Sequence, residues 1–258
     1  MANSPAESMV PPPLLAEGLA KLGLDGGTAA GLSLDRILSL LSKYIEEIEL
    51  FNPAYGLVKV KDRGELIVKH IFDSLAPLGQ IRGLLENMPS DAGAGLQGRP
   101  GIWRVTDVGS GAGLPGIPLA ICMPGAEFTL IERMGRRAGF LRNVLAILDL
   151  PNVRVEESEM EKLAVDKGGG FDLAVFRAWK PLEPAILKGL FRILSPGGII
   201  AAYKGRREAI EEEMARLLSS AEKGKGPTIG GWEALPLQVP FLEEERHLLL
   251  IRSDKQAA

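Results

Sequence analysis

The stretch from Trp103 to Leu119, W-R-V-T-D-V-G-S-G-A-G-L-P-G-I-P-L, leaves few folds open. With Ile102, the residues Val105 and Val108 make an apolar, β-branched run that predicts a strand buried inside a parallel sheet. Asp107 stands near the end of that run, and Gly109, Gly111 and Gly113 follow it. Pro115 and Gly116 lead into I-P-L-A-I, a short apolar helix that tolerates a proline in its first turn. Strand, glycine loop and helix N-terminus together let bare backbone approach a nucleotide-type ligand.

The rest of the chain repeats the alternation. Strands are expected at 102–108, 127–132, 152–156, 171–176 and 198–203. Helices are expected at 115–122, 134–149, 182–194 and 207–221. The turn S-P-G-G precedes the strand at 198–203, and two late runs, 232–239 and 246–252, form an antiparallel hairpin. This pattern predicts an α/β fold with a doubly wound parallel sheet, whose ligands sit beyond the carboxyl ends of the strands. Ahead of it, Leu34, Ile37, Leu38, Leu41, Tyr44, Ile45 and Ile48 recur at helical spacing. Asn52-Pro53 is expected to break that helix. A second helical stripe runs from about Asp62 to Leu78 and carries His70. The expected division is a disordered or weakly ordered tail over 1–31, a helical extension over 32–85, a Gly/Pro-rich linker over 86–101 and the sheet domain over 102–258.

Bulk properties exclude several classes. A net charge of −3 over 258 residues gives no global field for nucleic acid, so RNA contact must come from local basic patches. The single cysteine, Cys122, rules out an intrachain disulfide framework, and a count of two histidines argues against a zinc cluster, so no metal is expected. The N-terminus lacks the basic and apolar regions of a signal peptide, and no apolar run approaches the ~18 residues that span a membrane. A cytoplasmic protein without membrane contact is expected.

Two readings of the glycine loop compete. Gly111-Ala-Gly113-Leu-Pro-Gly116 matches the G-x-G-x-x-G of NAD-binding folds, but it begins past the end of the apolar run. Asp107 would repel a pyrophosphate and suits a ligand with a cationic amino group, such as S-adenosylmethionine. Glu132, about 20 residues beyond the glycines, is placed to accept both hydroxyls of a ribose, which either cofactor carries. Asp107, Ser110, Gly111 and Gly113 are therefore cofactor-binding candidates, with S-adenosylmethionine favoured.

The acceptor is approached through what is missing. Methylation of a carbon such as cytosine C5 needs a cysteine nucleophile, and Cys122 lies at the far end of the first crossover helix. Exocyclic amines are usually held by an Asn/Asp-Pro-Pro-aromatic turn after the fourth strand; here that place reads Phe176-Arg177-Ala178-Trp179. A ring nitrogen with a free lone pair, such as guanine N7, needs neither base nor nucleophile. Arg177 can donate a bidentate pair to a guanine O6 edge, a carboxylate or a phosphate.

Asp107–Leu119 closely resembles the signature of the bacterial small-subunit rRNA guanine-N7 methyltransferases, the RsmG or glucose-inhibited division protein B family. The likeness extends over roughly Leu34 to Arg252. F-N-P-A-Y-G-L-V-K-V-K-D resembles the family's W-N-x-x-Y-N-L-T, and V-K-H-I-F-D-S-L its x-x-H-x-x-D-S. V-F-R-A-W-K-P-L, A-Y-K-G and E-E-R-H-L-L-L-I resemble three further motifs in the right order. The resemblance implies a Rossmann-like class I S-adenosylmethionine-dependent methyltransferase fold. It also implies methyl transfer to N7 of a guanine in the helix-18 loop of 16S rRNA, with the rRNA or small subunit as partner and no oligomer required.

By the same resemblance, Gly109 and Leu114 contact the cofactor in the loop, Met160 and Glu161 surround the adenine, and Arg177 lies near the methionine end. His70, Asp73, Lys204 and Arg246 match positions facing the catalytic cleft. Gly56 and Val58 depart from the family's Asn and Thr, and Glu159 stands where Arg is frequent. His247, in an apolar strand, is read as packing. The basic residues Lys59, Lys61, Arg63, Lys69, Arg133, Arg136, Arg137 and Arg142 are candidates for a phosphate-binding rim. Other acceptors, an NAD-dependent oxidoreductase and a non-catalytic ribosome-assembly factor on the same fold remain alternatives.

Overall fold

The computed structural model describes residues 13–24, 32–88, 102–163, 170–178 and 180–254. Five strands alternate with helices: β1 (Arg104–Val108), α6 (Gly116–Cys122), β2 (Glu127–Ile131), α7 (Gly135–Leu148), β3 (Val153–Glu156), β4 (Phe171–Arg177), α8 (Pro184–Ile193), β5 (Leu194–Lys204) and α9 (Arg207–Glu222). A 3₁₀ turn, Met160–Lys162, follows β3, and β6 (Ile229–Leu237) and β7 (Arg246–Ser253) close the chain. Preceding them are α1 (Pro13–Lys21), α2 (Leu34–Tyr55), α3 (Arg63–Leu66), α4 (Asp73–Leu75) and α5 (Leu78–Glu86).

The seven strands lie in the order β3-β2-β1-β4-β5-β7-β6. The pairs β1–β2, β2–β3, β1–β4 and β4–β5 are parallel, while β7 runs antiparallel to both β5 and β6. The late hairpin is thus present, with β7 inserted between β5 and β6. The order reverses between β1 and β4, so the two crossovers leave opposite faces and a crevice opens at the carboxyl ends of these strands.

Strand alternation divides the apolar side chains between two cores. Leu173 and Val175, Ile199, Ala201 and Tyr203, and Leu248 and Leu250 face the core shared with α6 and α7. Their neighbours Ala174 and Phe176, Ile200 and Ala202, and Leu249 and Ile251 face the core under α8 and α9. Period-two burial of both sets explains why these strands read as continuous apolar runs.

The N-terminal helices belong to the first core. The expected tail over 1–31 contains α1, whose Leu15 and Leu19 are fully buried. Pro13 stands at its first position, where a missing N–H is harmless, and the three prolines hid the apolar spacing that follows them. A Cβ on Gly18 would lie 1.9 Å from Phe72 Cζ, so α1 docks by receiving that ring. Asn52-Pro53 does not end α2, which continues to Tyr55 and closes at Gly56 with φ 59. Proline in the last turn removes only one bond there, and the left-handed cap suits either Gly or Asn. That accounts for Gly56 where the family pattern has Asn. The second stripe is one helical run whose centre, Ile67–Phe72, widens to a π-helix between α3 and α4. The S-P-G-G turn is an irregularity inside β5, where the register with β4 shifts between Phe171 and Leu173. Of the expected linker over 86–101, residues 89–101 lie outside the described residues; Glu86 ends α5 and Met88 is buried.

Candidate active site at the crevice of the sheet

The loop after β1 is stitched to the end of β2. The backbone N–H groups of Gly109 and Ser110 both donate to the Ile131 carbonyl, at 2.9 and 3.1 Å. Gly111 N–H donates to one oxygen of Glu132 at 2.9 Å, and Met134 N–H to the other at 2.8 Å. Glu132 is therefore held in place at the lip of the loop as an acceptor through both of its oxygens, with acceptor capacity left on each.

Asp107 lies beneath the loop and is fully buried. Gly116 N–H donates to its Oδ2 at 3.0 Å, while the Ser110 hydroxyl holds its backbone carbonyl at 2.9 Å. Among the described residues its Oδ1 is buried without a partner. Burial pushes the carboxyl up to about 7, against the lowering pulls of Gly116 N–H, the nearby Ser110 hydroxyl and the Arg177 charge. A Cβ on Gly116 would sit 2.8 Å from Asp107 Oδ2 and 2.5 Å from Leu130 Cδ2, so only glycine lets the helix start this close. Gly113, at φ 92, would bring a Cβ within 2.4 Å of Ile117 Cδ1.

Two adjoining cavities open above this floor. One, of about 910 Å³, is lined by Gly109, Ser110, Gly111 and Leu114 together with His70, Asp73, Arg177, Lys204 and Arg246. The other, of about 1030 Å³, is lined by Glu132, Met160 and Glu161. Gly109, Arg137, Ala178 and Lys180 line both. The structure thus brings most of the sequence-expected site residues to two cavities that share part of their lining, while Asp107 and Gly113 are buried behind the loop and line neither.

Arg177, at the end of β4, reaches across to the π-helical stretch. Its Nη1 donates to the Lys69 carbonyl at 2.9 Å and to Asp73 Oδ2 at 2.8 Å, and its Nη2 lies 2.6 Å from His70 Nδ1. Arg246 Nε holds the other Asp73 oxygen at 3.2 Å. The free bidentate fork expected of Arg177 is therefore already engaged, because its partners come from helices packed over the strand ends. Burial and the neighbouring Arg177 charge lower the His70 pKa to about 4, so the ring is neutral.

The turn after β3 that carries Met160 and Glu161 is held from α8. Arg192 donates to the carbonyls of Leu163 at 2.8 Å, Met160 at 2.8 Å and Glu161 at 3.1 Å. Gly189 leaves room for Met160, whose Cε would meet a Cβ there at 2.7 Å. Glu161 pairs with Lys180 at 3.0 Å, and Glu159 faces Lys162 at 3.2 Å.

Lys204 lines the cleft, but its ammonium rests 2.7 Å from Glu213 of α9. His247 is buried with Nδ1 2.8 Å from the Gly205 carbonyl, a packing arrangement at the same rim. Among the eight expected rim cations, Arg63 pairs with Glu49, Lys69 with Glu65 and Arg142 with Glu157, while Arg136 stacks over Tyr55. Lys59 and Arg137 line the cleft. Sequence reasoning missed Arg192, Lys180 and Tyr44. The Tyr44 hydroxyl donates to the Ala112 carbonyl at 2.7 Å, tying α2 to the glycine loop. Tyr44 sits in an apolar stripe, so no local signal separates it from packing.

The residues present fit S-adenosylmethionine. The unpartnered Oδ1 of Asp107 suits the polarity of an amino group above the loop, and Glu132 has acceptor capacity for ribose hydroxyls. Among the described residues, no group of three or more His, Cys, Asp or Glu is placed to hold a metal, and no helix is long and apolar enough to cross a membrane.

Sheet order, glycine loop and acidic residue after β2 define a Rossmann-like fold of the S-adenosylmethionine-dependent methyltransferase class. A Klebsiella pneumoniae protein assigned as an O-methyltransferase shares the fold, with a TM-score of 0.51 over 83% of this chain and 90% of its own at 17% identity. Sequence narrows the class. The GidB family, described as rRNA small subunit methyltransferase G, matches residues 37–231. Ribosomal RNA small subunit methyltransferase G of Treponema pallidum is 38% identical over 244 residues, covering 93% of each chain. That of Treponema denticola is 36% identical over 254 residues, covering 92% of this chain and 93% of its own. This chain belongs to the rRNA small subunit methyltransferase G family.

Proposed function

We propose that this protein transfers the methyl group of S-adenosylmethionine to N7 of a guanine in the helix-18 loop of 16S rRNA. Family membership supports an rRNA substrate in the small subunit, and the Asp107–Glu132 cradle supports the cofactor. The cofactor supplies a methyl on a positive sulfur, which leaves by in-line displacement, so the chain's task is positioning.

One observation carries the choice of a ring nitrogen. The groups in the cleft best suited to remove a proton are already engaged by arginines: the His70 Nδ1 by Arg177, and the two Asp73 oxygens by Arg177 and Arg246. A cleft so arranged orients an acceptor that needs no deprotonation, and guanine N7 is such an acceptor. Cys122, the only thiol in the sequence, is fully buried and burial pushes it up to about 12, which disfavours carbon methylation through a thiolate. Asp107 and Glu132 anchor the two ends of the cofactor, Met160 and Glu161 flank its base, and Arg177 braces the helices over the reacting end.

Lys59, Lys69 and Arg137 around the cleft suit the phosphates flanking the target base, so rRNA affinity should fall steeply with salt. Aniline cleavage of small-subunit rRNA from a deletion strain tests the site of methylation. The helix-18 cleavage should vanish on deletion and return with the intact gene but not with Asp107→Ala. Its persistence after deletion would overturn the assignment.

A further inference from the structure

We infer that His70 is the specificity-determining residue that reads the acceptor base, its Nε2–H donating to the O6 carbonyl of the guanine. The inference rests on the N7 reading and adds to it the group that distinguishes guanine at the reacting edge. That edge presents two adjacent acceptors, N7 and O6. N7 must keep its lone pair for the incoming methyl, so recognition of the edge falls to a donor at O6.

Hydrogen-bond chemistry fixes which donor His70 offers. A guanidinium has N–H donors and no acceptor. With Arg177 Nη2 only 2.6 Å away, His70 Nδ1 must be the accepting nitrogen. A neutral ring whose Nδ1 accepts carries its proton on Nε2. Among the described residues, that Nε2–H has no hydrogen-bond partner, and the half-buried ring lines the same cavity as Gly109, Gly111 and Arg177.

The surroundings hold the ring rigidly. Arg177 is clamped in turn by Asp73 Oδ2 and the Lys69 carbonyl, and Asp73 is held from the far side by Arg246. The Ser74 hydroxyl donates to the His70 carbonyl at 2.6 Å, within the turn that follows the π-helical widening. Such widened turns often carry functional side chains. A neutral donor also suits the chemistry, because N7 methylation leaves a positive charge on the base. A full cation at O6, from arginine or lysine, would oppose that developing charge more strongly than the dipole of a neutral imidazole N–H does.

Two measurements test this. Long-range ¹⁵N NMR of the full-length protein at pH 7 should show His70 as the Nε2–H tautomer, with Nδ1 unprotonated. An Nδ1–H tautomer or an imidazolium would overturn the inference, and this readout needs no variant. Methyl transfer to unmodified small-subunit rRNA, naked and in subunits, should then be compared for wild type, His70→Ala and His70→Gln. His70→Ala should lower kcat/KM by about tenfold to a hundredfold, with the Kd for S-adenosylhomocysteine within about twofold of wild type. His70→Gln, whose amide reaches a similar position, should recover most of the loss. Wild-type kcat/KM in His70→Ala, or a parallel loss of S-adenosylhomocysteine affinity, would overturn the inference. Mapping the wild-type product by aniline cleavage reports separately on the N7 reading, whereas the ratio of variant to wild type reports on His70.

Discussion

Gly116 N–H donates to Oδ2 of Asp107 at 3.0 Å, while Oδ1 of the same carboxyl is buried with no partner among the described residues. The helix start thus satisfies one oxygen of a carboxylate buried behind the loop and leaves the other without a protein donor among the described residues. Burial raises this group to about 7, so it titrates in the neutral range.

Cofactor binding should depend on pH through Asp107. A cationic amino group binds the ionised carboxylate, so binding below about pH 7 must first remove the proton. Affinity for S-adenosylhomocysteine should be level above that pH and fall by up to about tenfold per unit below it. Calorimetric titrations between pH 5 and 8.5 measure this; affinity that rises on acidification would contradict the role of Asp107.

Stability of the ligand-free protein should move the other way. The folded pKa lies above the value of 3.8 for an unperturbed aspartate, so between these values the folded state holds more protons than the unfolded one. Stability from this group therefore falls as pH rises from about 4 to 7, by up to about 4 kcal/mol. Asp107→Asn should remove that slope and lose cofactor binding. Urea unfolding of both proteins at pH 5 and 8 checks the difference.

Gly116→Ala should damage fold and site together. Its Cβ would press on Leu130 and on Asp107 itself, at 2.5 and 2.8 Å. Overpacking of this kind costs about 1–3 kcal/mol, and displacement of Asp107 should weaken S-adenosylhomocysteine binding in the same variant. Chemical denaturation and calorimetry give the two numbers.

Tyr44→Phe keeps the packed ring but orphans the Ala112 carbonyl, which the hydroxyl holds at 2.7 Å. A loss of about 1–2 kcal/mol is expected. Hydrogen exchange should rise in the loop 109–114, since α2 no longer restrains it. Unchanged exchange there would show that the bond is incidental.

Arg192→Ala removes three bonds from the turn that carries Met160 and Glu161. We expect the KM for S-adenosylmethionine to rise severalfold while the KM for rRNA stays level. Arg192→Lys should restore little, because a single ammonium cannot hold the three carbonyls in the same geometry. Steady-state kinetics with each substrate varied in turn separates these outcomes.

Much of this protein was legible in one dimension because its signals are local. Strand and helix periods, the glycine loop, Asp107 before it and Glu132 after β2 lie within short windows, and backbone geometry ties each to a definite place in an α/β sheet. The hairpin of β6 and β7 was readable for the same reason. Helix α1 escaped notice because three prolines mask its apolar spacing, and α2 ran through Pro53 because a terminal turn tolerates it.

Only packing decided the rest. Arg177 meets His70 and Asp73 across more than a hundred residues of chain, and Arg246 reaches Asp73 from β7. No periodicity encodes such bonds. They exist because the N-terminal helices share one core with the sheet and so bring their polar side chains over the strand ends. Residue types set which chemistry was available; tertiary contact chose which nitrogen of His70 carries the proton, which lone pairs are engaged and which remain open to a substrate.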